Sequence, residues 1–255
     1  MPADNPHVTI VIPARYASSR FPGKPLALLA GKPLIRHVYE QAARVPKVAR
    51  VLVATDDVRI HENVEHFGGR STMVTKPCRT GTDRVAEAVR EFPCEIVVNL
   101  QADEIPLSPD LLLDLIDPFL AGDAEMATLC RPLKNWKDFA QSSVVKVVTD
   151  RQGRALYFSR APIPHSRDHV HEASPFASLH LGVYIFRRDT LTRFAALPSG
   201  ELEEAEKLEQ LRALEHGIPI HVWETTHASL RIDTQEDLER ANASWDELMA
   251  KQVHD

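Results

Sequence analysis

The sequence predicts a three-layer α/β fold, a mostly parallel sheet flanked by helices, with an antiparallel insertion in its second half. The first observation is a set of short apolar runs, Val8–Ile12, Val51–Ala54 and Ile96–Leu100. Runs of this kind are expected of strands buried on both faces. The second is that helical stripes alternate with these runs, the pattern of crossover connections. The third is a change after about residue 130, where Val144–Val148 and Arg154–Ser159 flank Asp150-Arg151-Gln152-Gly153. That arrangement reads as a hairpin.

Each element follows from spacing. Leu34, Ile35, Val38, Ala42 and Ala43 recur at helical intervals after the first strand. Val58–Phe67 reads as a helix stopped by Gly68-Gly69, since glycine readily adopts the left-handed conformation that ends helices. Thr72–Val74 is a weaker strand, and Val85, Ala86, Ala88, Val89 and Phe92 form a helical stripe opened by Gly81-Thr82-Asp83. Ser108-Pro109-Asp110 starts a helix to about Leu120, with proline where its missing N–H costs nothing. Leu181–Phe186 and Ile218–Trp223 are further strands. Leu202, Ala205, Leu208, Leu211 and Leu214 predict one long amphipathic helix closed near Gly217. Thr234-Gln235-Glu236-Asp237 resembles a capping box before a helix carrying Leu238, Ala241, Trp245 and Leu248. No repeat, low-complexity tract or Pro/Gly/Ser-rich linker interrupts the chain, which reads as one domain.

The 255 residues are 44% hydrophobic and 26% charged. These are the proportions of a soluble globular chain, and they exclude disordered, collagen-like and disulfide-stapled classes. A net charge of −6 gives no general attraction for nucleic acid or an anionic membrane. Neither partner is expected, and an anionic ligand needs a local basic site. Cys78, Cys94 and Cys130 are odd in number and lack CxxC spacing, the usage of a reduced, cytoplasmic chain. No apolar stretch approaches roughly 18 residues, and the N-terminus has no signal-peptide core.

Chemistry concentrates at strand ends. The connection after Val8–Ile12 is long and basic, with Arg15, Arg20 and Lys24 among small residues. It leaves the carboxyl end of a strand, where open α/β sheets bind ligands, and it suits a polyphosphate. It matches neither GxxxxGK[ST] nor GxGxxG. Asp103 and Glu104 follow Ile96–Leu100. Carboxylates there read equally as an acidic turn or as ligands of a hard cation bridging to phosphate. Thr80 to Arg84 opens a helix, and reads as an N-cap or as a reader of a base edge or phosphate. Asp233 beside a helix start reads as a dipole-favoured acid. His180 reads as structural, and His165, His169 and His171 as a solvated loop.

A family resemblance emerges from these residues. The run Ile12-Pro13-Ala14-Arg15-Tyr16-Ala17-Ser18-Ser19-Arg20-Phe21-Pro22-Gly23-Lys24-Pro25-Leu26 resembles the signature of the 3-deoxy-manno-octulosonate cytidylyltransferases. Further matches are Val53-Ala54-Thr55-Asp56, Thr80-Gly81-Thr82-Asp83-Arg84 and Ala155-Leu156-Tyr157-Phe158-Ser159-Arg160. His180-Leu181-Gly182-Val183-Tyr184, Leu208-Glu209-Gln210-Leu211-Arg212, and Ile232-Asp233-Thr234 with Glu236-Asp237-Leu238 follow in family order.

The resemblance implies a Rossmann-like, GT-A-type nucleotidyltransferase, with a nucleotide-binding part at about 1–130, a sugar-acid and dimer part at about 131–230, and a C-terminal helix at 234–255. It implies a cytoplasmic homodimer that couples CTP to 3-deoxy-D-manno-octulosonate (Kdo) for lipopolysaccharide synthesis, with Mg2+ as cofactor. Arg15 and Lys24 would hold the triphosphate and, with Asp103, form the catalytic set. Ala54, Asp56, Thr80, Gly81, Thr82 and Arg84 would surround the cytidine. Asp103 and Asp233 would bind the metal, and Gln101, Arg160, His180, Tyr184, Glu209 and Gln210 would line the sugar-acid pocket.

The sequence departs from the family pattern beside the implied metal ligands. Ala102 stands where the family has glycine and Ile105 where it has proline; Arg231 and Gln235 likewise fill glycine and proline positions. An alanine needing positive φ at 102 would cost about 1 kcal/mol or more. Arg231 beside Asp233 is expected to compete with a metal or grip another anion. The alternatives are a sister cytidylyltransferase for 8-amino-Kdo or a nonulosonate, and a paralogue that binds nucleotide or sugar without turnover.

Overall fold

The first strand, β1 (Val8–Ala14), is buried along its whole length. The structure is a computed structural model that describes residues 8–17, 21–133, 135–167 and 177–252. Arg20, His169 and His171 lie outside the described residues. Two compact units make up the chain, Met1–Leu113 with His227–Asp255, and Asp114–Thr226.

In the first unit, β1 is followed by the small hairpin β2 (Leu28–Leu29) and β3 (Lys32–Pro33), then α1 (Leu34–Ala42), β4 (Val48–Thr55), α2 (Val58–His66), β5 (Ser71–Met73), α3 (Gly81–Ala88), β6 (Ile96–Leu100), β7 (Glu104–Pro106) and the start of α4 (Asp110–Ala121). β1 pairs in parallel with β4 and with β6, and β4 pairs in parallel with β5. Ala14 lies opposite Thr55, and Val11 opposite Asn99. The carboxyl ends of β1, β4 and β6 therefore share one edge. Leu34, Ile35, Val38 and Ala42 of α1 and Val85 and Ala88 of α3 are buried, as their spacing predicts.

The second unit carries β8 (Met126–Pro132), α5 (Trp136–Ala140), β9 (Lys146–Thr149), β10 (Ala155–Ser159), β11 (Ser178–Arg187), α6 (Arg188–Ala196), α7 (Glu201–Glu206), α8 (Leu211–Glu215) and β12 (His221–Glu224). The expected hairpin is present, since β9 and β10 pair antiparallel. Gly153 closes its turn at φ 74°, and its N–H donates to the Asp150 carbonyl. β11 pairs antiparallel with β8 and β9, and β12 runs parallel to β8.

The chain then returns to the first unit as β13 (Ser229–Arg231) and α9 (Gln235–Gln252). Asn242 of α9 accepts from Ala30 N at 2.8 Å and donates to the Leu28 carbonyl at 3.1 Å. The Trp245 ring packs on buried His37 at 4.9 Å. Cys94 and Cys130 are buried and Cys78 is half-buried, and none of the three is in a disulfide. Among the described residues no helix is long and apolar enough to cross a membrane.

The long helix expected over 202–214 is broken. α7 ends at Glu206 and is capped by Lys207, whose φ of 53° is left-handed, and α8 begins at Leu211. A buried ion pair explains the break. Arg212 is fully buried and donates to both Glu203 carboxylate oxygens, at 2.8 and 2.5 Å. In a continuous helix two residues nine apart face opposite sides, since nine steps of about 100° make two and a half turns. The turn at Lys207 lets them meet, and Phe194 stacks on the guanidinium at 4.9 Å.

Removing one partner of such a pair strands a buried charge. Arg212→Met is expected to lower unfolding free energy by about 3–5 kcal/mol in urea titration. A loss under about 1 kcal/mol, the range of an exposed pair, would contradict the burial argument.

Candidate active site

The shared strand-end edge of the first unit builds its site from three short segments. The first leaves β1. Arg15 is exposed where the strand ends. The chain then folds back, with Gly23 N donating to the Tyr16 carbonyl at 2.9 Å. Gly23 sits at φ 73°, and a Cβ there would stand 3.1 Å from the Tyr16 ring. Only glycine fits both conditions. Lys24 follows directly in a one-turn 3-10 helix, Lys24–Leu26.

The second segment joins β6 to β7. Lys24 Nζ donates to Asp103 Oδ2 at 2.6 Å and to the Ile232 carbonyl at 3.1 Å. It lies 3.7 Å from Asp233 Oδ1. One ammonium thus stands between the two carboxylates implied to hold a metal. Lys24 and Asp233 keep 13% side-chain exposure, while Asp103 keeps 29% and is the open edge of the group.

The third segment delivers Asp233. β13 pairs antiparallel with β7, Leu230 opposite Ile105 and Arg231 opposite Glu104, and Ile232 N donates to the Asp103 carbonyl at 3.1 Å. Arg231 bonds Asp233 Oδ2 at 3.0 Å, on the oxygen away from Lys24. Burial opposes the Arg231 charge, but Asp233, Glu104 and Asp103 outweigh it and raise its pKa. Glu104 differs from its neighbour Asp103. It is 5% exposed, takes the Ser229 hydroxyl, and burial pushes its carboxyl up. It belongs to the β7–β13 pair and offers no open oxygen to a cation.

A polar relay lies beneath α3. Asn99, fully buried in β6, donates to Thr82 Oγ1 at 2.9 Å and accepts from Gln101 Nε2 at 3.1 Å. A Cβ on Gly81 would lie 3.3 Å from Gln101 Oε1, so the amide packs on that glycine. Ala54 and Thr82 are buried, at 0% and 1% exposure. Thr80 is the N-cap of α3, accepting from Asp83 N at 3.1 Å while Asp83 accepts from Thr80 N at 3.2 Å. Arg84, 6% exposed, donates to Asp56 at 2.6 Å, and its Nη1 is buried with no hydrogen-bond partner among the described residues.

In the second unit, His180 is buried, with Nε2 3.0 Å from Thr128 Oγ1. Its ring meets Phe158 edge-on at 4.9 Å and Tyr184 at 5.4 Å. Arg160 Nε donates to the Glu206 carbonyl at 2.8 Å. Glu209 and Gln210 lie in the turn between α7 and α8. Gln210 is 3% exposed, and its Nε2 is buried without a partner among the described residues. A buried N–H left unpaired in this way costs about 1–3 kcal/mol until an acceptor arrives.

Comparison with known proteins decides the family. A family model described as cytidylyltransferase matches residues 9–224. The chain is 50% identical over 243 residues to the 3-deoxy-manno-octulosonate cytidylyltransferase of Syntrophotalea carbinolica, covering 92% of this chain and 97% of that one. The chain belongs to the 3-deoxy-manno-octulosonate cytidylyltransferase family. The enzyme of that name from Anaeromyxobacter dehalogenans is 54% identical over 239 residues, covering 93% of this chain and 97% of its own. A solved structure of CMP:2-keto-3-deoxy-manno-octonic acid synthetase complexed with CTP superposes with a TM-score of 0.87. It is 41% identical and covers 96% of this chain and 99% of that chain.

The departures from the family pattern are accommodated. Non-glycine residues with positive φ among those described are Ala30, Lys47 and Lys207, so Ala102 carries no left-handed strain. Ile105 is buried in β7 at 1% exposure. Gln235 opens α9, where proline is favoured but not required. Asn99 was missed in reading the sequence. Its signal was a lone amide inside an otherwise apolar strand.

The capping box at α9 holds Asp233 in place. Asp237 Oδ2 accepts from Asp233 N at 3.0 Å and Thr234 N at 2.9 Å, and Thr234 Oγ1 accepts from Asp237 N at 3.1 Å. Burial would raise the Asp237 carboxyl, but these bonds and Arg240 pull it below its ordinary 3.8. A depressed carboxylate stabilises the fold above its unfolded pKa and loses that contribution as pH falls through the folded value. Asp237→Asn is expected to cost about 1 kcal/mol at pH 7. Urea titrations should show the gap from wild type narrowing below pH 3.8. A gap independent of pH would contradict the assignment.

Proposed function

We propose that the chain transfers CMP from CTP to Kdo, giving CMP-Kdo and pyrophosphate. The observation that carries this reading is the Lys24 ammonium held between Asp103 and Asp233 at the strand-end edge, in a chain about half identical to enzymes named for that activity. The reading makes the protein a cytoplasmic, homodimeric enzyme of lipopolysaccharide synthesis.

The reaction brings a sugar carboxylate to a triphosphate against their mutual repulsion. The anomeric hydroxyl oxygen forms a bond to the α-phosphorus as its proton passes to solvent, and the bond to the pyrophosphate oxygen breaks in line. Arg15, exposed at the end of β1, and Lys24 supply positive charge for the phosphates. On binding, Lys24 exchanges part of its carboxylate contact for phosphate oxygen. Arg84 sits under the nucleotide half with a buried, unpartnered N–H that an acceptor on the ligand satisfies. Gln210 Nε2 plays the same part for the sugar acid.

Mg2+ fits the donor set. Asp103 and Asp233 offer hard oxygens and already share one cation. Among the described residues no cluster of three or more His, Cys, Asp or Glu could hold a metal unaided. A pair of carboxylates completed by substrate phosphates is the usual Mg2+ arrangement. When bound, the ion supplies charge to the phosphate oxygens and to departing pyrophosphate. Asp103 and Asp233 would hold it, and Arg231 steadies the outer oxygen of Asp233.

Pyrophosphate release is measured from CTP and Mg2+ with Kdo, 8-amino-Kdo and N-acetylneuraminate in parallel. Release with Kdo is expected, falling about 10²–10³-fold in Asp103→Asn. Release only with another acid would reassign the substrate. Silence with every sugar despite CTP binding would overturn the activity.

A further inference from the structure

Lys146 is the least expected group in the second unit. It lies in β9 with 0% exposure, and burial lowers its pKa. An ammonium has three N–H donors. Here all three meet carbonyls, those of Gln141 at 2.9 Å, Val144 at 2.6 Å and Arg160 at 2.6 Å. The lysine therefore ties the turn before β9 to the residue after β10.

Arg160 extends the tie. Its guanidinium donates to the carbonyls of Ser142 at 3.0 Å, Glu206 at 2.8 Å and Lys207 at 3.4 Å. The Glu206 carboxylate returns the contact, accepting from Arg160 N at 2.9 Å and from Ser159 Oγ at 2.5 Å. Three segments that are distant in sequence, 141–146, 159–161 and 206–207, are joined by two cations and one carboxylate. The last of them contains the left-handed Lys207, and Glu209 and Gln210 follow it at once. A carbonyl-bound guanidinium fixes backbone at both ends, so it sets where that turn presents its side chains. Placement matters there, because the buried Gln210 Nε2 has no partner among the described residues.

We propose that Lys146 is a positioning residue for the sugar-acid half of the site, acting through Arg160 to fix the Lys207 turn and the placement of Glu209 and Gln210. The inference rests on the sugar-acid reading of those two residues. It assigns Lys146 no contact with substrate, and gives Arg160 a structural duty that its sugar-binding role does not require.

The test compares Lys146→Met, which keeps the stem and removes all three donors, with Lys146→Gln, which keeps two. Kinetics are measured for Kdo and CTP, and amide hydrogen exchange is followed in the free protein. In Lys146→Met, KM for Kdo is expected to rise at least about tenfold, with KM for CTP within about twofold. Exchange should quicken across 205–210, and Lys146→Gln should fall between the two proteins. Equal changes in both KM values, or a lower melting temperature with both KM values and exchange at 205–210 unchanged, would overturn the inference. If Lys146→Met does not fold, Lys146→Gln decides by the same criteria. If wild type does not use Kdo, the proposed function fails, and exchange at 205–210 alone decides the positioning claim.

Discussion

The site of the first unit depends on one ammonium. Lys24 stands 2.6 Å from Asp103 and 3.7 Å from Asp233, carboxylates that arrive from the β6–β7 turn and from the strand that returns at the end of the chain. Two carboxylates gathered on one ammonium repel each other, so the cation between them is a structural need. Arg231, bonded to Asp233 at 3.0 Å, brings the group of two cations and two carboxylates to no net charge. An anionic ligand finds no net attraction in the group itself, so a polyphosphate there needs further positive charge.

Buried polar groups elsewhere follow the same logic of satisfied need with a remainder left for a ligand. Asn99 and Gln101 make a relay to Thr82 that fixes the start of α3. Arg84 spends one edge on Asp56 and keeps a buried N–H unpaired. In the second unit the Arg212–Glu203 pair bends the chain at Lys207, and the carbonyls that Arg160 binds hold that bend. Gln210 is then left with a buried donor and no acceptor among the described residues. Each unpaired N–H is a place where a ligand acceptor gains more than a solvent-exposed contact would give.

Much of this was legible in the sequence because the signals were local. Largely apolar runs mark β1, β4 and β6, and the capping box at Thr234 holds where its spacing puts it. The basic first connection points to Lys24 from composition and position alone. β7 and β13 were not legible, since three-residue strands carry no periodicity and their pairing spans more than 120 residues of sequence. β8 was missed because Met126-Ala127-Thr128-Leu129-Cys130 has few β-branched residues and is held by neighbours on both sides. The leucine stripe over 202–214 pointed to one helix, and a nonlocal ion pair overrode it. Lys146 gave no signal, because a lysine in a strand ordinarily faces water.

The role of Lys24 is tested most directly by a double-mutant cycle on CTP binding. Calorimetry with Mg2+ present would compare wild type, Lys24→Met, Asp103→Asn and the double variant. A shared electrostatic centre predicts that the two substitutions fail to add, by about 1 kcal/mol or more. Additivity within about 0.3–0.5 kcal/mol would mean that Lys24 and Asp103 act independently, and would contradict a single cation organising the site.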